Sequence, residues 1–313
     1  MPGSSTLRWV LLLSFMQLSC NYDVGRICAL LIGCLLGVPA LMHAQESPFF
    51  VTYTHHMEEP GNLEIESSST FGVPRQGQAA YIAPYLELEY GLTARWTTEL
   101  YAEGQSSWGD SAVFTGWRWE NRYKLLSREH WINPVLYLEY EDLNEASRIQ
   151  KEVEGGGQDL SSPNRELVGE HAHELEAKLI LSGDYHDWNV AENFIVAKNF
   201  SRAEGISFGY AFGVSHPLAT LASGEKCRWC KENFTVGGEM YGGLGSTMGF
   251  GVRNTAHYLA PVMSWLISDS SSLRFSPAIG LTHESSALLF RFSYVYEIQG
   301  IGGKISRLLG IRP

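Results

Sequence analysis

"YLELEYGLTARWTTELYAE", running from Tyr85 to Glu103, decides how this chain is to be read. Carboxylates recur at alternate positions among Leu, Tyr and Trp, most plainly at Glu87 and Glu89. A period of two is the mark of a β-strand, because successive side chains point to opposite faces. The stretch does not itself say which face is buried. A water-soluble sheet hides its leucines and exposes its glutamates. A membrane barrel inverts that order, turning apolar side chains to lipid and charges to the lumen.

The rest of the chain extends the pattern. Strand-like segments separated by turn signals lie at about 61–72, 79–90, 92–104, 111–124, 131–142, 166–182, 185–199, 205–217, 232–242, 252–267, 271–282 and 286–298. In "FTGWRWENRYK" Trp117, Trp119 and Tyr123 share one face, while Arg118, Glu120, Arg122 and Lys124 share the other. "INPVLYLEYE", "HELEAKLIL" and "LLFRFSYVYEI" divide in the same way. Segments this long exceed the soluble strand mode of about 5–6 residues and reach the roughly 9–11 that span a bilayer. The polar faces carry both charge signs, and the apolar faces are rich in aromatic residues, as at membrane interfaces.

The fold expected is therefore all-β: an antiparallel transmembrane β-barrel of twelve strands over residues 61–298. A tight turn at Tyr90-Gly91-Leu92 would set Glu87 opposite Arg95 and Leu86 opposite Trp96. The expected lumen residues are Glu87, Glu89, Arg95, Glu99, Glu103, Arg118, Glu120, Arg122, Glu139, Glu174, Glu176, Arg291 and Glu297. Tight connections near Gly91, Ser182–Asp184 and Ser268–Ser270 fall on the periplasmic side, and the polar loop Asn144–Glu166 falls outside the cell. The loop holding Cys227 and Cys230 falls on the periplasmic side, where it is long for such a turn.

"GRICALLIGCLLGVPALMHA" has a cation, an apolar run and a small residue at Ala44, the order of a secretory signal peptide covering residues 1–44. An earlier apolar run precedes it, so a translation start near Val24 is the simplest account. Cys34 in "LIGC" lies too deep in the apolar run for a lipoprotein cleavage box. Residues 45–60 read as a periplasmic lead-in and 299–313 as a basic C-terminal tail. Removing Arg8, Asp23 and Arg26 leaves 21 Lys+Arg against 33 Asp+Glu, a net charge of −12. Nothing in that balance would neutralise phosphates, which excludes nucleic acid as a partner. After the leader no apolar run approaches the roughly 20 residues of a membrane-spanning helix. Beyond the leader only Cys227 and Cys230 are left, in "KCRWCK". Outside the cytoplasm such a pair reads as a local disulfide.

"EEPGNLEIE" (58–66), "LELEYGLTARWTTELY" (86–101), "VGGEMYG" (236–242), "LAPVMSW" (259–265) and "AIGLT" (278–282) occur in series. In that order they resemble the outer-membrane proteins named for the meta-pathway of phenol degradation, a transporter-like family. The resemblance covers most of the mature chain and implies an outer-membrane barrel that moves small, often aromatic, compounds. It supplies no catalytic motif, and the Cys-containing insertion departs from its pattern.

Candidate chemistry is sparse. In "THHMEEP" His55 and His56 could help to hold a transition metal, but adjacent residues on an extended chain point apart, so a solvated segment is the preferred reading. His171 and His173 share a strand face with Leu175 and Leu179, which places them at the interfacial rim rather than at a metal. His283, Glu284 and Ser285 hold the residue types of a hydrolase near one rim, yet three consecutive turn residues seldom align as nucleophile, base and orienting acid. The function expected is a passive channel or binding pore for small molecules in the cell outer membrane, with lipid and a small solute as partners, and with no enzyme activity, cofactor or metal. The alternatives are a barrel enzyme acting on lipid at the outer rim and a soluble secreted β-sandwich that binds carbohydrate.

Overall fold

The computed structural model describes residues 47–75, 77–149, 162–219 and 227–308. The leader and the centre of the 144–166 loop lie outside the described residues. The strands are β1 (Leu63–Val73), β2 (Tyr81–Thr93), β3 (Trp96–Ser107), β4 (Ala112–Lys124), β5 (Asn133–Asn144), β6 (His171–Tyr185), β7 (Trp188–Asn199), β8 (Ser207–Pro217), β9 (Phe234–Ser246), β10 (Gly249–Phe250), β11 (His257–Ser268), β12 (Ser271–Gly280) and β13 (Leu288–Ile298). Twelve of these form the wall, and β10 is a two-residue return on β9. Each strand pairs antiparallel with its neighbours around the ring, β8 pairs with β9 and β13 with β1, so the sheet closes and leaves no open edge. No described helix is long and apolar enough to cross a membrane.

The alternation resolves into an inverted barrel. Leu86, Leu100, Trp119 and Leu138 are 46–52% exposed on the outside, whereas Glu99, Glu120 and Glu139 inside are at most 2% exposed. An apolar band around a closed sheet is the surface a barrel offers to acyl chains, and in that setting the backbone is satisfied by neighbouring strands alone. His171 and His173 lie on the outer face, where they meet Asp142 and Tyr140.

The near mouth is where β1 begins and β13 ends. It carries the tight β2–β3, β6–β7 and β11–β12 turns, the Glu129 loop and the Cys227 loop. The β6–β7 turn is made by His186 (φ 47°) and Asp187 (φ 66°). Positive φ at both central residues is the hairpin geometry that matches strand twist, so β6 runs on past the turn expected at Ser182–Asp184. Cys227 and Cys230 form a disulfide. Between them Trp229 stacks on Trp265 at 4.2 Å, and Trp265 Nε1 donates to the Arg228 carbonyl at 2.9 Å, so the disulfide turn rests on the wall.

The β2–β3 register differs from the expectation. Glu87 stands opposite Tyr101 and Leu88 opposite Leu100, and the turn falls at Ala94 and Arg95. Gly91 does not mark the turn. The chain before β1 crosses it so closely that a Cβ there would collide with the Glu59 carbonyl, and Gly61 N–H donates to the Gly91 carbonyl at 2.8 Å. Arg95 consequently leaves the lumen and rests over the Tyr123 ring at 5.3 Å.

Replacing Leu100 by Arg, halfway along β3 on the lipid face, should cost about 2–4 kcal/mol, while Leu100→Phe should cost little. Equilibrium unfolding in lipid vesicles reads both.

Candidate functional site

The strand register creates an unusual row. Glu297, Glu64, Glu89, Glu99, Glu120, Glu139 and Glu176 come from seven consecutive strands, each directly opposite the next. All seven face inward. Like charges directly opposite are destabilising. At about 5 Å and an effective dielectric near 20, one such repulsion is on the order of 3 kcal/mol. The row therefore needs cations close by.

These come from the rows on either side. In the row nearer the near mouth, Arg122 reaches Glu99 with Nε at 2.6 Å, Glu120 at 3.3 Å and Glu89 through Nη2. Lys178 in that row meets Glu176 at 2.8 Å and lies over the Tyr137 ring at 4.0 Å. From the other side Arg118 binds both oxygens of Glu139 at 3.1 Å and also Glu103. A planar guanidinium with several donors can serve several carboxylates at once, which an ammonium cannot do with the same geometry. Glu87, Glu141 and Glu174, in the Arg118 row, add further buried carboxylates.

Residues 47–60, expected to be solvated, instead run inside the near half of the barrel. The Glu239 carboxylate accepts N–H bonds from Phe50, Val51 and Thr52 at 3.2, 3.0 and 3.0 Å, and the Thr52 hydroxyl at 3.1 Å. Asn193 pairs with the Tyr53 backbone twice, at 2.7 and 2.9 Å. The Tyr53 hydroxyl donates to Glu120 at 2.8 Å, and Arg274 donates to the Phe49 carbonyl at 3.2 Å. Phe49 packs on Gly213, where a Cβ would come within 2.8 Å of its ring. Each backbone donor buried by the segment needs such a partner. The segment leaves a cavity of ≈ 580 Å³, lined by Tyr53, Glu58, Glu87, Tyr101, Arg118 and Arg291 among others.

Burial, followed by the nearby Glu297 and Glu59, raises the Glu58 carboxyl to about 8, against the pull of Arg122. Burial and then the neighbouring His56 lower the His55 imidazole below its ordinary value, against Glu129 and Asp184.

The structure places Glu87, Glu89, Glu99, Glu103, Arg118, Glu120, Arg122, Glu139, Glu174, Glu176, Arg291 and Glu297 on inward faces and brings most of them into one network. Arg95 is the exception. Glu64, Glu66, Glu239, Asn193 and Arg274 also line the lumen and are missing from the sequence reading, while Lys178 falls on the polar face of "HELEAKLIL" without being named among the lumen residues. Glu66, Lys178 and Arg274 each follow strand alternation. Glu239 in "VGGEMYG" is one carboxylate among glycines, and nothing local announces that it holds a distant segment. At the far rim the Ser285 hydroxyl donates to the His257 carbonyl at 2.8 Å and accepts its N–H at 2.9 Å, so it staples a loop.

Among solved structures the chain is similar to the COG4313 outer membrane channel from Pseudomonas putida F1, with a TM-score of 0.54 and 12% identity over 78% of this chain and 98% of that one. The NanC porin aligns over 75% of this chain and 100% of its own, with a TM-score of 0.47 and 9% identity. No protein-family model and no curated protein matches the chain. The first likeness, at its low identity, is one of fold: a closed antiparallel twelve-strand barrel of the outer-membrane kind.

Arg122→Leu should destabilise the barrel by about 3–5 kcal/mol, since it strands buried carboxylates without their partner. Adding Glu99→Gln should recover part of the loss in urea unfolding. Glu58 binds its proton more tightly when the segment is docked than when it is free. Docking should therefore weaken as pH climbs from the ordinary 4.5 through about 8. Protease protection of residues 47–60 should be greater at pH 6 than at pH 9, and Glu58→Gln should remove the difference.

Proposed function

We propose that this protein is a passive channel of the outer membrane for small solutes, with a preference for cations, and that residues 47–60 restrict its periplasmic mouth. The near mouth is then periplasmic and the 144–166 loop extracellular, because short turns belong to the periplasmic end of such barrels. One observation carries the reading: a closed wall with an apolar exterior surrounds a polar, acidic lumen that is only partly filled. A soluble sandwich would bury the opposite face. Carboxylates in a passage of low dielectric raise the local concentration of cations and repel anions.

The finer reading concerns the solute. Strands β13 and β1 to β6 carry the main glutamate row, whereas the wall from β7 to β12 and the far end of β13 are richer in small and apolar residues such as Ala211, Tyr241, Ala260, Ala278 and Leu289. Tyr53, Tyr85, Tyr101 and Tyr137 add aromatic faces beside the acidic rows. Such a lumen suits a small amphipathic solute with an aromatic or apolar body. That agrees with the resemblance to the meta-pathway outer-membrane proteins, and solutes of that class are proposed on both grounds.

In planar bilayers the wild-type pore should favour cations, and the preference should shrink as salt rises and screens the carboxylates. Glu141→Gln with Glu174→Gln should lower the preference while sparing folding. Deleting residues 47–59 should raise single-channel conductance. An anion-selective pore, or unchanged conductance after the deletion, would contradict the reading.

A further inference from the structure

His55 and His56 are adjacent, and on an extended chain their rings would point apart. The chain bends at His55 instead. The two rings lie with centroids 4.4 Å apart, and both Nε2 atoms turn towards Asp184 Oδ2, from 3.6 Å for His55 and 3.1 Å for His56. His55 Nε2 also meets Glu129 Oε2 at 2.9 Å. Four bonds of 2.0–2.2 Å in a tetrahedron set their donor atoms about 3.3 Å apart. The Nε2–Oδ2 spacings of 3.6 and 3.1 Å lie on either side of that value, and the ligand atoms of His55, His56 and Asp184 all lie within 4.8 Å of one another.

The outer atom of every group is held as well. His55 Nδ1 bonds the Ser182 hydroxyl at 2.8 Å, and His56 Nδ1 bonds the Thr54 hydroxyl at 3.3 Å. Asn189 Nδ2 donates to Asp184 Oδ1 at 2.6 Å, and Lys124 Nζ to Glu129 Oε1 at 2.6 Å. Outer partners that fix the ring orientation and leave the inner atoms convergent are the usual surroundings of a metal centre. Ser182 and Asp184, two residues apart on β6, share its inward face, so the strand itself sets their spacing. His55 is fully buried, whereas His56 and Asp184 are half-exposed and open the cluster to solvent at the near mouth.

We propose that His55, His56 and Asp184 form a binding site for a divalent transition-metal ion, with Glu129 beside His55. Two imidazoles with carboxylate oxygens suit Zn²⁺, Cu²⁺ or Ni²⁺ rather than Mg²⁺ or Ca²⁺, which take oxygen ligands. The ion would take the Nε2 lone pair of each neutral imidazole, whose single N–H would then sit on Nδ1 and donate to the Ser182 or Thr54 hydroxyl. Both histidines belong to the inserted segment, while Asp184 and Glu129 belong to the wall and its loop. A bound ion would therefore fasten the segment to the barrel. The site stands on its own geometry and does not depend on the channel reading.

The test uses the untagged full chain in detergent, stripped with EDTA and titrated calorimetrically with ZnCl₂. One ion should bind per barrel. His56→Ala and Asp184→Asn should each weaken binding by about tenfold or more, while His186→Ala, in the neighbouring turn, should leave it unchanged. Heat-modifiable gel mobility confirms that each variant is folded. X-ray absorption on the zinc-loaded wild type should show two imidazole nitrogens among ligands at about 2.0–2.2 Å. Absence of zinc binding, wild-type affinity in the two ligand variants, or an oxygen-only zinc shell would overturn the proposal.

Discussion

The guanidinium of Arg122 touches Glu89, Glu99 and Glu120, and the wall from β2 to β4 depends on that contact. The register of the sheet makes glutamates face glutamates across six strand boundaries. A soluble protein would escape this by turning the row to water. Here the outward face is already occupied by Leu, Trp and Phe, so the carboxylates have nowhere to go but inward. Their mutual repulsion is relieved diagonally, by Arg122 and Lys178 on one side of the row and Arg118 on the other. A register slip of one residue would send every one of these groups into lipid, so the charge network fixes the register as firmly as the apolar belt does.

The same acidic interior explains how a stretch of chain can lie inside the barrel. Residues 47–60 bring backbone N–H groups, a tyrosine hydroxyl and two imidazoles, all able to donate to carboxylates. Glu239 takes three N–H bonds in succession, and Glu120 takes the Tyr53 hydroxyl. Wall and segment are complementary in hydrogen-bond sense. The interaction is also conditional, since Glu58 lies against Glu297 and Glu59 in a buried place. The segment is held by these polar contacts and by apolar ones, with Phe49 on Gly213, Val51 on the cluster around Ala211 and Tyr241, and Tyr53 and Met57 on Val135, Tyr137 and Ile180.

Much of this was legible in the sequence. Alternation over long segments identified the strands, and the pairing of aromatic faces with mixed-charge faces identified the inversion. Long-range contacts were harder to read. Gly91 looked like a turn residue because glycine serves both tight turns and close backbone approaches. Only the fold shows that Pro60 and Gly91 lie side by side. That one misreading moved Arg95 into the lumen. An extended chain would point His55 and His56 apart, and the groups that meet them across the bend, Ser182 and Asp184, lie far along the sequence. Strand periodicity is local, and its reading holds up. The partners of a segment with no periodicity are set by tertiary contacts, and composition carries no trace of them.

The central claim is that polar and charged side chains line the inside and apolar ones face lipid. Single cysteines placed along β3 test it most directly, with Cys227 and Cys230 already joined to each other. In vesicles, positions 99, 101 and 103 should react with a water-soluble maleimide, while positions 98, 100 and 102 should resist it and be quenched, once labelled, by lipid-borne nitroxides. The reverse pattern, with 98, 100 and 102 open to the aqueous reagent, would contradict the inverted barrel.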